Sequence, residues 1–203
     1  RESLDLCLAC KGCKSEYPSG VDVANLKYEF MHHTYAQPGR RHPSRDYLFG
    51  YIDRIARLGY PFRALATPIL ASRMGRALLE VGLQVSRQRT LPAFSRKTLS
   101  ARVRRLPQVT HREDSVLFLS DAFTEFFHPG AGEAAVWALH AAGYQVLLLP
   151  VLGAGRTLIS KGFLQAARKH AERLLSAIRI YDPSGALFFN DTATTEIYTL
   201  TDE

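Results

Sequence analysis

Apolar residues recur at helical spacing in three stretches of the first 83 residues. Val23, Leu26 and Phe30, with Lys27 on the same side, set the first. Leu48, Tyr51, Ile52, Ile55 and Leu58 set the second, closed by Gly59. Ile69, Leu70, Met74, Ala77, Leu78 and Val81 set a third over 68–83, whose apolar side is expected to pack in a core. PGRRHPSRD at 38–46 is a Pro- and Arg-rich connector. Residues 84–112 hold eight basic side chains, two prolines and no acid, which predicts a linker.

The texture then changes. SVLFLS at 115–120 predicts a buried strand, and Pro129–Ala142 a helix stopped by Gly143. Gln145–Leu149 predicts a second strand, and Ser160–Ile178 a helix burying Leu164, Ala167, Ala171, Leu174, Leu175 and Ile178. The apolar run 134–155 holds His140 and Gln145 and is broken by Gly143 and Pro150. It therefore reads as helix then strand, not as a membrane span. Strand–helix–strand–helix predicts a parallel pair. Two strands do not close a core, so one sheet face is expected to be underfilled.

The fold class expected is α+β or α/β. It comprises a helical part at 1–83, a basic linker at 84–114 and a small parallel β-α-β-α unit at 115–182. The last residues, 188–203, stand apart. NDTATTEIYT at 190–199 matches, at all ten positions, the translation of a common sequencing-library adapter. The native sequence is expected to stop near Leu187, and Arg1-Glu2-Ser3 reads as the cut edge of a longer protein. No functional argument is drawn from the tail.

Charge is divided along the chain. Residues 1–112 carry 20 Lys and Arg against 8 Asp and Glu, and residues 113–203 carry 6 against 11. A basic half joined to an acidic half suggests two modules with different neighbours. The basic run could meet nucleic acid, but Phe94 is its only stacking residue and it has no groove-reading motif. A solvated linker or a surface docking on an acidic flavoprotein face is the better reading, with no nucleic-acid partner. The 68–83 helix sets Arg73 and Arg76 beside apolar residues, which leaves a membrane surface as a less favoured neighbour.

Cys7, Cys10 and Cys13 are the only cysteines. Three thiols within seven residues suit metal binding in a reducing, cytoplasmic setting better than disulfides. The spacing C-x2-C-x2-C lets three thiolates converge on one iron–sulfur cubane. In the run C-x2-C-x2-C-x3-C-P, a fourth cysteine ligates a partner cluster. Here Pro18 is in register and Tyr17 stands where that cysteine would be. A zinc knuckle would need a fourth ligand, and His32 and His33 are poorly spaced for it. Three cysteines in a small turn with no metal is the remaining alternative. Gly12 and Gly20 read as turn residues, and Lys11 and Lys14 as solvated cations that would also favour thiolates.

DLCLACKGCKSEYPSGVDVANLKYEF, with RDYLFGYI at 45–52, resembles the iron–sulfur portion of bacterial FAD-binding and Fe-S-binding oxidoreductases. LFLSDAFTEFFHPGAGEAAVWALHAAGYQVLLLP and GRTLISKGFLQAARKHAE resemble the cysteine-rich domain of the same family. The resemblance implies a ferredoxin-like N-terminal part. It also implies a [4Fe-4S] cluster on Cys7, Cys10 and Cys13 with its fourth ligand elsewhere, and FAD on an N-terminal part of the same polypeptide. The implied role is electron transfer from FAD to an acceptor, with a D-2-hydroxy acid as substrate and peripheral placement at the inner membrane allowed. The family's Cys-Cys-Gly before Arg156 is here Gly153, Ala154 and Gly155, so that domain's ligands are absent. G-A-G-R-T-L is not a dinucleotide fingerprint, for want of the third glycine.

No other constellation completes a catalytic site. Asp121 and Glu125 read as solvated or capping carboxylates, and His128 as a loop histidine at a helix start. The sequence alone thus favours an electron-transfer segment with no catalytic residue of its own. The competing reading is a degenerate, cofactor-free docking module of a redox complex.

Overall fold

The computed structural model describes residues 4, 7, 9–16, 18–104, 115–183 and 188–189. The first part is helical. Helix α1 (Gly12–Glu16) carries Cys13, and α2 (Val23–Ala36) is capped by Asp22, whose carboxylate accepts the Asn25 N–H at 3.0 Å. Helices α3 (Ser44–Gly50) and α4 (Ile52–Gly59) meet at Tyr51, which splits the helix expected over 48–58.

A 3-10 turn at Tyr60–Phe62 leads into α5 (Arg63–Ala71) and α6 (Arg73–Leu83). The single helix expected over 68–83 is therefore corrected. Ser72 adopts an extended backbone and restarts the helix as an N-cap, its Oγ accepting the Gly75 N–H at 3.0 Å. The expected packing of this segment is corrected too. Ile69, Met74, Leu78 and Val81 are 59–86% exposed, because no described element covers that side.

The basic segment is more than a linker over its first two-thirds. Phe94 stacks on Phe127 at 4.6 Å, and the Ser95 N–H donates to the Phe126 carbonyl at 2.8 Å. Helix α7 (Leu99–Val103) follows, and Leu99 is fully buried against Phe118 and Val136. Burying such a leucine is worth roughly 1.5–3 kcal/mol, enough to dock a short segment despite its charge.

The second part holds β1 (Ser115–Phe118), a π-helical turn (Phe123–Phe127), α8 (Pro129–Ala141) and β2 (Gln145–Leu148). Then come α9 (Arg156–Ser160), α10 (Leu164–Tyr181) and β3 (Phe188–Phe189). The sheet order is β2-β1-β3, and both pairings are parallel. Ser115 lies opposite Gln145 and Phe118 opposite Leu148, as the β-α-β-α texture predicts. Val116 lies opposite Phe188 and Leu117 opposite Phe189, so two residues of the 188–203 segment join the sheet; 190–203 lie outside the described residues.

The central strand is covered on both faces, which corrects the expectation of an underfilled one. Leu117 packs with Leu149, Ala171 and Leu174 toward α10, and Phe118 with Val136 and Leu99 toward α8 and α7. The helix expected over Ser160–Ile178 is broken between α9 and α10 at Gly162, which takes a φ of +74°.

That break seats the two parts on each other. Ala24 and Tyr28 of α2 pack with Leu158 and Ile159 of α9 and Ala167 of α10. Thr157 Oγ1 donates to the Gly50 carbonyl at 3.0 Å, and Arg57 donates to the Pro150 carbonyl at 3.0 Å. Lys161 pairs with the buried Asp46 at 3.1 Å.

Candidate functional site

The cysteine loop owes its shape to two residues that are not glycine. Ala9 (φ 55°) and Lys11 (φ 60°) both take left-handed backbone, on either side of Cys10. Such a conformation costs an L-residue about 1–2 kcal/mol. Left-handed residues in a loop are one way in which a chain turns N–H groups toward a concavity that cradles anionic groups. One of these N–H groups, that of Ala9, donates to Cys7 Sγ at 3.4 Å.

The loop is held from outside. Lys27 Nζ donates to the Cys7 carbonyl at 2.7 Å, tying it to α2. Lys11 Nζ lies 3.9 Å from the Asp22 carboxylate at the cap of the same helix. Lys11 is thus paired rather than simply solvated. Lys27 was missed as a support residue by sequence reasoning. Its signal was a lysine standing among apolar residues on one side of α2.

Cys7 and Cys13 are half-buried and Cys10 is exposed, all three free thiols. Among the described residues no three His, Cys, Asp or Glu side chains gather as a metal-holding group. The donor set fits three corners of an iron–sulfur cluster in chemistry, spacing and backbone. A cluster held on them would take its fourth ligand from outside the loop. Tyr17 lies outside the described residues.

The loop 153–155, where the family's Cys-Cys-Gly would stand, is tight. Gly153 has φ 64° and Gly155 has φ 79°, the latter opening α9. His170 Nε2 lies 2.8 Å from the Gly153 carbonyl. Since a carbonyl only accepts, Nε2 carries the proton. A Cβ at Gly153 would lie 3.5 Å from the Asp53 carboxylate. Burial pushes the Asp53 carboxyl above the ordinary range and Asp121 adds to this. His170, the Ala122 N–H and Arg57 oppose it. Asp53 lies between two cavities of about 200 and 290 Å³, and sequence reasoning gave it no role.

The carboxylates weighed in the sequence are structural. Asp121 Oδ1 accepts the Thr124 N–H at 2.7 Å. Glu125 is buried and accepts the Ser100 hydroxyl at 2.7 Å. His128 is exposed at the start of α8, outside the cavity around 153–155. No described helix is long and apolar enough to cross a membrane.

No family model matches the chain, and no solved structure matches it significantly. Curated relatives do. The chain is 29% identical over 211 residues to D-2-hydroxyglutarate dehydrogenase of Pseudomonas putida, covering 95% of this chain and 20% of that protein. It is 28% identical over 165 residues to one subunit of the anaerobic glycerol-3-phosphate dehydrogenase of Escherichia coli, covering 80% of this chain and 41% of that one. D-2-hydroxyglutarate dehydrogenase of Haemophilus influenzae is 23% identical over 181 residues, covering 85% of this chain and 17% of that protein. The chain thus spans a fifth to two-fifths of the length of the first two relatives, and these relatives are a dehydrogenase and a subunit of one.

Proposed function

We propose that this chain is the electron-transfer segment of a flavin- and [4Fe-4S]-dependent oxidoreductase, acting on a D-2-hydroxy acid. The observation that carries the reading is the loop of Cys7, Cys10 and Cys13, with left-handed Ala9 and Lys11 and an N–H donated to Cys7 sulfur. The similarity to two dehydrogenases over most of this chain supports it.

A bound cluster would supply one-electron relay between FAD, carried on another part of the same polypeptide, and an acceptor. The chain's own residues do the rest. Cys7, Cys10 and Cys13 offer three thiolates. The Ala9 N–H orients the Cys7 sulfur within the loop, and Lys27 anchors the loop to α2. Lys11 and Lys27 add positive charge beside an anionic cluster, which favours its reduced form.

The cofactor-free docking module is the second reading, favoured by the loss of any ligand at Gly153, Ala154 and Gly155. Iron and acid-labile sulfide per chain, measured anaerobically on the full-length polypeptide, separate the two. The electron-transfer reading expects Cys10→Ala to remove about one cluster's iron and sulfide. Equal iron and sulfide in the variant and the parent overturns it.

A further inference from the structure

A cavity of about 680 Å³ lies where α2, the start of α4 and the first turns of α10 converge. Its size falls within the usual range of roughly 300–1,000 Å³ for small-molecule sites and far exceeds a lone phosphate. One wall is aromatic. The rings of Tyr35 and His42 lie 3.9 Å apart and those of His42 and Phe163 lie 4.0 Å apart, with Tyr51 at 5.1 Å from Phe163. His42 Nδ1 is buried there without a hydrogen-bond partner.

The same cavity carries cations, and the Arg54 guanidinium lies 5.3 Å from the centre of the Tyr51 ring. Arg54, Lys169 and Arg173 line the cavity, and no Asp or Glu does. The carboxylates nearby are engaged elsewhere: Asp46 with Lys161 at 3.1 Å, and Glu172 with Arg168 at 3.6 Å. Asp53 interacts with His170 and Arg57. The cavity also receives the start of α10, an 18-residue helix with no side-chain cap. Its first residues, Leu164, Gln165 and Ala166, line the cavity, and the first N–H groups of a helix have no intrahelical partner.

We propose that this cleft binds a phosphorylated planar metabolite of mononucleotide size. Arg54, Lys169, Arg173 and the α10 terminus take the phosphate, because three cations and a helix end match a dianion better than a single carboxylate. Tyr51 and Phe163 take the ring. The site is separate from the cysteine loop and does not depend on the proposed cluster.

The test is calorimetric titration of the full chain with AMP, adenosine and inorganic phosphate. AMP is expected to bind saturably at one site per chain, with adenosine and phosphate each at least about tenfold weaker. Lys169→Gln combined with Arg173→Gln is expected to weaken AMP at least about tenfold. Both side chains are exposed, so the melting temperature should not move. Cys10→Ala is expected to leave AMP binding unchanged, which keeps this result independent of the iron measurement. Absence of saturable AMP binding overturns the proposal, as does a double variant that binds like the parent. Phosphate binding as tight as AMP overturns the ring assignment. Displacement of AMP by polyglutamate at equal charge concentration overturns it too, and would mark the cleft as a surface for an acidic protein.

Discussion

Gly162 packs so closely on Met31 that a Cβ added to it would stand 2.7 Å from the Met31 Cβ and 3.1 Å from the His32 nitrogen. The neighbours are backbone and the stem of a side chain, so neither can swing away. Gly162 also has a φ of +74°. Gly162→Ala should therefore cost about 2–5 kcal/mol, the sum of left-handed strain and overpacking. Urea unfolding would show it as a lower midpoint with unchanged slope. A cost below about 0.5 kcal/mol would mean that α2 and α9 are not packed as described.

Asp53 should make stability fall with rising pH. Its folded carboxyl is held above the ordinary value of 3.8, chiefly by burial. The folded state then binds more protons than the unfolded one as pH rises from the unfolded pKa through the folded pKa. Stability from this group is present below that window and lost above it. Asp53→Asn should raise the melting temperature near pH 7, and the gain should shrink as the pH approaches 3.8. The groups facing Asp53 are Asp121, His170 and Arg57, and the variant also loses the latter two contacts. A variant less stable than the parent at pH 7 would show that those two contacts outweigh desolvation.

Glu125 ties the basic segment to the α/β unit. Its buried carboxylate accepts both the Ser100 hydroxyl, at 2.7 Å, and the Ser100 N–H, at 3.3 Å. Glu125→Ala removes these bonds to a charged group and should destabilise by about 1.5–3 kcal/mol. Ser100→Ala keeps the N–H and should cost less. A double-mutant cycle that returns no coupling would place α7 elsewhere.

How legible this was in the sequence depends on what each element packs against. Ser115–Phe118, Pro129–Ala141 and Gln145–Leu148 matched expectation closely. Their patterns are set by burial on a sheet, and Gly143 stops α8 as predicted. The breaks at Tyr51, Ser72 and Gly162 were missed. At Ser72 the cue was a capping serine three residues before Gly75. At Gly162 it was a glycine inside an apolar period, whose need arises from Met31, 131 residues away. The 68–83 pattern is amphipathic as expected, but the core that its apolar side would join is one that no described element provides. At the cysteine loop the spacing named the donors. The left-handed backbone at Ala9 and Lys11 was not readable, since neither residue advertises positive φ.

That backbone gives the last prediction. If the alternating hands at Ala9 and Lys11 shape the loop for a cluster, glycine at either place should be accepted, because it removes strain of about 1–2 kcal/mol without changing the turn. Ala9→Gly and Lys11→Gly in the full-length polypeptide should keep parental iron and sulfide. Ala9→Val should behave oppositely, since a β-branched residue at φ 55° is a strong outlier and would push the Ala9 N–H away from Cys7 Sγ. It should lose cluster iron nearly as far as Cys10→Ala does, while the melting of the sheet unit is unaffected. The check is iron and sulfide per chain with low-temperature EPR on the four variants. Lys11→Gly needs one control, because it also removes the 3.9 Å approach to Asp22. Lys11→Asn, which tolerates the left-handed region but carries no charge, separates backbone from charge. Full iron in Ala9→Val would show that the loop's left-handed backbone has no part in holding a cluster.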